Sequence, residues 1–146
     1  MEISKKGIDF LVREEGVVLK PYLDQRNKPT IGIGSTFYEN GGPVTMLDKP
    51  ISLDRAYSLF NDTLKRYVAQ VNKSITRPIN QNQFDALVSM CYNIGTSGFA
   101  GATVVLKVNV NPCDPLIRNW FEAWKNAGGK PILLGRRIRE ANLYFS

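Results

Sequence analysis

The sequence predicts an α+β fold: a small β-sheet lobe inserted after a first short helix, then a larger helical lobe, with a cleft between the two. Three observations predict it. Apolar residues recur at helical spacing over residues 5–15 and again through most of 53–144. Between these stretches Thr30-Ile31-Gly32-Ile33-Gly34 alternates with period two, as a strand does. Finally, 146 residues with 43% apolar content fill one core but not two independent domains of ordinary size. The whole of 1–146 therefore reads as a single domain, with about 17–50 as the β lobe and 1–16 with 51–146 as the helical lobe.

Ser4 is suited to cap a helix from about Lys5 to Glu15, and Gly16 to stop it. At 100° per residue Ile8, Leu11, Val12 and Glu15 share one face, and Glu14 falls beside it. Glu15 thus ends an otherwise apolar stripe. From Leu19 to Thr36 the pattern shortens into a hairpin or meander, expected over about 17–36. Gly32 and Gly34 serve there either as bulges and close packing or as an opening for a bulky ligand. The segment Tyr38–Lys49, with Asn40-Gly41-Gly42-Pro43, reads as an exposed loop. Ser52 is suited to cap a helix from Leu53 to about Asn72, and Pro78 breaks the pattern. Asn80 precedes a strongly apolar helix from Gln81 to Ile94. Gly95, Gly98 and Gly101 mark a connection, and Ala102–Val108 reads as a short helix. Asp114-Pro115 is suited to start another, running to Trp124. Gly128-Gly129 and Pro131 close it, and Gly135–Tyr144 forms a short basic terminal helix. There are no internal repeats or heptads.

The net charge of +6 comes from 19 Lys and Arg against 13 Asp and Glu, and it is uneven. Residues 1–50 hold seven of each sign, whereas 125–146 carry Lys125, Lys130, Arg136, Arg137 and Arg139 against Glu140 alone. Such a surface favours an anionic polymer, whether nucleic acid, anionic lipid or bacterial cell wall. Cys91 and Cys113 read as free thiols, since two cysteines make no disulfide framework in a chain this long. Residues 1–10 carry charge throughout, without an apolar stretch of signal-peptide length, and no segment approaches bilayer-spanning length. Synthesis in the cytoplasm is expected, with help from another protein for any action outside.

Three polar residues stand out by placement: Glu15 at a helix end, Asp24 in the following polar loop, and Thr30 at the start of the alternating segment. A carboxylic acid set against apolar surface keeps its proton more readily and can deliver it to a leaving oxygen. A second carboxylate in a wetter loop stays ionised and can orient water or stabilise positive charge. Glycoside hydrolysis needs that contrast. A threonine hydroxyl can hold a water or support the second acid. Each residue also has a plainer reading. Asp24 is suited to a turn, Thr30 to a strand, and Glu15 to a buried ion pair with an arginine.

The ordered set Glu15-Gly16, Leu19-Lys20, Tyr22-Leu23-Asp24 and Thr30-Ile31-Gly32-Ile33-Gly34 resembles the active-site region of the phage T4-type lysozymes, the bacteriophage endolysins of glycoside hydrolase family 24. The resemblance continues through Asn80–Leu87, Tyr92–Gly95, Phe99–Thr103 and Gly135–Glu140, and it is nearest in appearance to the lambdoid-phage, P22-type lysozymes. It implies a lysozyme-like fold, and hydrolysis of the β-1,4 bond between N-acetylmuramic acid and N-acetylglucosamine in peptidoglycan, for host cell lysis. By resemblance Glu15 is the general acid, Asp24 positions or activates the attacking water, Thr30 holds that water, and the anomeric carbon is inverted. No cofactor or metal is expected, since histidine is absent, the two cysteines are far apart in sequence and the acids show no calcium-loop pattern. A monomer is expected, and, without a secretory or membrane-spanning segment, membrane passage through a holin. The protein would rest in the host cytoplasm until the membrane is permeabilised and then act in the periplasm on the wall.

One position departs from the family pattern. A histidine commonly follows the glycine pair in these enzymes, and this chain has Ser35 there and no histidine anywhere. Among other classes, a nucleic-acid-binding module lacks support, with no helix-turn-helix and no basic–aromatic interleaving. A silent wall binder is disfavoured by the intact Glu15, Asp24 and Thr30. A lytic transglycosylase on the same bond would not need Asp24. The terminal basic cluster reads as a solvated helix face, or as placing Arg136 or Arg139 against Glu15.

Overall fold

The computed structural model describes all 146 residues. Seven helices and one two-stranded sheet follow in the order α1 (Lys5–Glu15), β1 (Val18–Leu23), β2 (Pro29–Gly32), α2 (Leu53–Ser74), α3 (Gln81–Ile94), α4 (Thr96–Ala100), α5 (Thr103–Val110), α6 (Ile117–Glu122) and α7 (Leu134–Tyr144). The chain divides into two compact units, one comprising Met1–Phe10 with Arg66–Ser146 and the other Leu11–Lys65. The mixed class expected from the sequence is the one observed.

The helix ends follow from their caps. The Ser4 hydroxyl accepts from the Gly7 amide at 3.1 Å, and the Ser52 hydroxyl from the Arg55 amide at 3.1 Å. Asn80 and Gln83 form a reciprocal capping box at the start of α3, with bonds of 2.8 and 2.9 Å. Gly16 ends α1 at φ +75°, its amide donating to the Val12 carbonyl at 2.9 Å.

In the larger unit α3 is the central element. Every residue from Gln83 to Cys91 is buried, so its polar members must be satisfied from within. They are. Asp85 accepts from the Ser4 amide, the Ser4 hydroxyl and the Gln81 side chain. Gln83 bonds the Asn80 amide. Ser89 donates to Glu140 at 2.5 Å. Helix α7 packs on α3, α6 on α7 and α5 on α6. Tyr144 anchors α7 at its far end, its hydroxyl donating to the Pro112 carbonyl at 2.7 Å. Cys91 is buried, Cys113 is exposed, and the two are not bonded.

The terminal helix corrects one expectation. Arg136 and Arg137 do not lie on a solvated basic face; both are buried, and Arg137 is wholly so. Glu140, one turn on and also fully buried, lies 2.8 Å from Arg137 Nε and accepts from Arg136 Nε at 3.2 Å. Arg137 also donates to Asn93 at 2.8 Å, and Arg136 reaches the Ser89 carbonyl at 3.3 Å. Burial raises the Glu140 carboxyl's pKa, against the pull of Arg137, Arg136 and the Ser89 hydroxyl. Two guanidinium groups and one carboxylate therefore knit α7 to α3, where a count of charges had suggested surface.

Smaller differences concern boundaries. The 95–101 connection contains a five-residue helix, α4, where three glycines had read as a loop. The helix expected from Asp114 begins at Ile117 and ends at Glu122, because the Asp114 carboxylate takes the Leu116 amide at 2.9 Å and closes a turn first.

In the smaller unit β1 and β2 pair antiparallel, with Tyr22 opposite Thr30 and Leu23 opposite Pro29, and with a register shift between Val18 and Tyr22. The alternating pattern outlasts the strand. β2 stops at Gly32, and Ile31 and Ser35 then bridge across a tight turn, exchanging bonds of 2.9 and 3.0 Å. Gly32 is left-handed at φ +69°, and a Cβ there would come within 3.2 Å of the Ala56 side chain on α2. Close packing, rather than an opening for ligand, is its role. Gly32→Ala should therefore destabilise the protein by about 2 kcal/mol, from left-handed strain plus the Ala56 contact. A denaturant midpoint equal to that of the unaltered protein would contradict this reading.

Candidate active site

Glu15, Asp24 and Thr30 all belong to the Leu11–Lys65 unit. Glu15 is the last residue of α1 and is half-buried. Gly16 then turns the chain into β1, so the position of the carboxylate is set by the helix end rather than by a loop.

Asp24 shows that the turn reading and the functional reading are compatible. Its Oδ1 accepts from the amides of Arg26 at 2.8 Å and Lys28 at 2.9 Å. Its backbone amide donates to the Lys28 carbonyl at 3.0 Å, and the Asn27 amide donates to the Asp24 carbonyl at 3.0 Å. Asn27 sits in the left-handed region at φ 56°, where asparagine is tolerated better than most side chains. Both side-chain bonds fall on one carboxylate oxygen, so the second is left for another partner. Thr30 is buried in β2, and its hydroxyl donates to the same Lys28 carbonyl at 2.9 Å. Lys28 thereby ties the two residues together through its backbone.

A residue absent from the sequence candidates joins them. Tyr22, half-buried on β1, has its phenol pKa raised first by burial, then by the negative charges of Glu15 and of Asp24. It is also the cross-strand partner of Thr30. One aromatic side chain thus feels both acids and faces the threonine. The available signal was its place two residues before Asp24, but the register shift that aims it is a property of the paired strands.

Comparisons with known proteins show which family the chain belongs to. Residues 12–140 match the family model described as phage lysozyme. This chain belongs to the phage lysozyme family. It is 41% identical to the endolysin of Salmonella phage P22 over 147 residues, covering 100% of this chain and 99% of that one. Among solved structures it is similar to a variant of P22 lysozyme, with a TM-score of 0.88 at 40% identity over 100% of this chain and 99% of that chain. It is also similar to an endolysin from the Escherichia coli O157:H7 phage FAHEc1, with a TM-score of 0.92 at 34% identity, covering 100% and 94% of the two chains. Family and relatives make this an endolysin with lysozyme activity.

Membership in the phage lysozyme family sharpens the meaning of Ser35. It is buried, its backbone completes the Ile31 turn, and its hydroxyl has no hydrogen-bonding partner in the protein. The fold closes around this small neutral side chain with the Ile31 turn intact.

Proposed function

We propose that this lysozyme hydrolyses the β-1,4 bond between N-acetylmuramic acid and N-acetylglucosamine, with Glu15 as general acid, Asp24 as the group that positions water, and Thr30 as its second anchor. The observation that carries the assignment is Tyr22, which feels both carboxylates and pairs with Thr30. Glu15 delivers its proton to the departing sugar oxygen as the C–O bond breaks. Positive charge builds on the anomeric carbon. Water held by the outer oxygen of Asp24 and by Thr30 attacks from the opposite face and loses its proton to Asp24. The anomeric carbon is inverted, a course that needs the carboxyl groups roughly 6.5–9.5 Å apart rather than about 5 Å. The chain works as one lysozyme-like domain and a monomer, without metal or cofactor.

Mass spectrometry of digested peptidoglycan tests this against the transglycosylase reading. Reducing muramic ends are expected, and anhydro ends would overturn hydrolysis. Asp24→Asn separates the two roles of Asp24. Asparagine keeps the oxygen that holds the Arg26 and Lys28 amides, so thermal stability should stay near wild type while turnover falls on the order of 10²-fold. A folded Asp24→Asn variant with full turnover would remove Asp24 from the mechanism.

No helix is long and apolar enough to cross a membrane. The proposal therefore includes release to the wall through a partner of holin type, from a starting point in the host cytoplasm. Rapid lysis on expression without a holin or membrane damage would contradict it.

A further inference from the structure

Lys28 does more than join Asp24 to Thr30 through its backbone. Its side chain is exposed, and the ammonium lies 5.1 Å from the centre of the Phe37 ring. Phe37 is itself 52% exposed, a large apolar ring left in water. It is held in place by its antiparallel bridge to Pro43. A cation resting on an aromatic ring is held there by the ring's negative face and keeps donors for a second partner. The pair is joined, through Lys28's own amide and carbonyl, to the loop that presents Asp24 and Thr30.

Resting on the reading of this site as one that cleaves muramoyl glycan, we propose that Lys28 and Phe37 form a specificity subsite for a muramoyl unit bearing a carboxylate. The Phe37 ring covers apolar C–H surface of the sugar or of its acyl substituent. The Lys28 ammonium pairs with a carboxylate carried by that substituent. Charge complementarity selects this ligand, because a plain N-acetylglucosamine polymer offers no anion. The carboxylate has two sources, the peptide stem or the lactyl group of a stem-free muramic acid.

Three polymers test the proposal: native glycan strands with peptide stems, the same strands with every carboxyl amidated, and strands stripped of stems so that the lactyl carboxylate is free. Lys28→Gln should lose roughly fivefold in kcat/KM on native strands, through KM, as expected for loss of an exposed ion pair partly covered by ligand. It should match wild type on amidated strands. A loss seen on native strands and gone on stripped ones assigns the stem alone. A loss on both shows that the subsite takes either carboxylate, because the lactyl carboxyl is in amide linkage wherever a stem is attached. Phe37→Ala should raise KM on all three polymers, and an unchanged KM would overturn the ring's part. An equal loss for Lys28→Gln on native and amidated strands, or a fall in kcat, would show that Lys28 acts by holding the Asp24 loop and would overturn its part. So would a like effect from Lys125→Gln, an exposed lysine elsewhere, since net charge would then explain it. Circular dichroism melts establish that each variant folds. Failure of the broader reading shows separately, as cleavage of native strands by Glu15→Gln.

Discussion

Glu15→Gln is expected to abolish cleavage of purified peptidoglycan while leaving the protein folded and able to bind the wall. Glutamine keeps the size of the side chain and one acceptor but has no proton to give the departing sugar oxygen. Loss of general acid catalysis costs on the order of 10²–10⁴ in rate, and more where substrate distortion relies on the same carboxyl. Because Glu15 closes the last turn of α1, just before the Gly16 cap, the exchange asks nothing of the backbone. Glu14→Gln is the internal control. It stands one position earlier on the same helix, 100° around the axis. Muropeptide release measures both variants, and circular dichroism reports their folding. Near-normal release by folded Glu15→Gln would remove Glu15 as the acid. Loss with Glu14→Gln instead would exchange the roles of the two.

Glu140→Ala should have the largest effect on stability, a loss of about 3–5 kcal/mol, because it strands buried Arg137 without its carboxylate. Arg136 and Ser89 lose a partner in the same step. Denaturant unfolding of the folded fraction gives the number. The decisive comparison adds Arg137→Met to Glu140→Leu. If the Arg137–Glu140 pair is the main cause, the double variant should lose less than the sum of the two single ones. Arg137 is then no longer left as a buried charge, and only Arg136, which keeps the Ser89 carbonyl, lacks its carboxylate. Additive losses would attribute the effect to packing volume alone. A drop under 1 kcal/mol for Glu140→Ala would show that water reaches Arg137 after all.

What could be read in advance depended on how local its physical cause was. Helix α1 needed only Ser4, Gly16 and an apolar stripe, all within 13 residues, and it came out at Lys5–Glu15 as expected. The capping residues Ser52 and Asn80 placed the starts of α2 and α3 for the same reason. Asp24, Thr30 and Glu15 were legible as candidates because an ordered motif across one short stretch of chain carries them. Tyr22 was not, since nothing in its neighbours shows which way a strand with a shifted register will aim it.

The alternation through Gly34 illustrates the limit well. Period two is a property of side-chain order, but whether a strand continues depends on finding a partner. Here Ile31 pairs with Ser35 across a turn, and α2 approaches Gly32, itself left-handed at φ +69°, to within 3.2 Å of where a Cβ would stand. The basic tail shows the same thing in charge. By itself the sequence determined the helical segments, the inserted hairpin and the ordered set of acids, because caps, periodicity and motif spacing act over a few residues. Only the tertiary structure decided which charges are buried and which are wet. Arg136, Arg137 and Glu140 look like surface in one dimension, and Ser89 and Asn93 of α3, more than 40 residues earlier in the chain, turn them into the inside of the protein. Burial is set by what folds over a residue, and no local pattern encodes it.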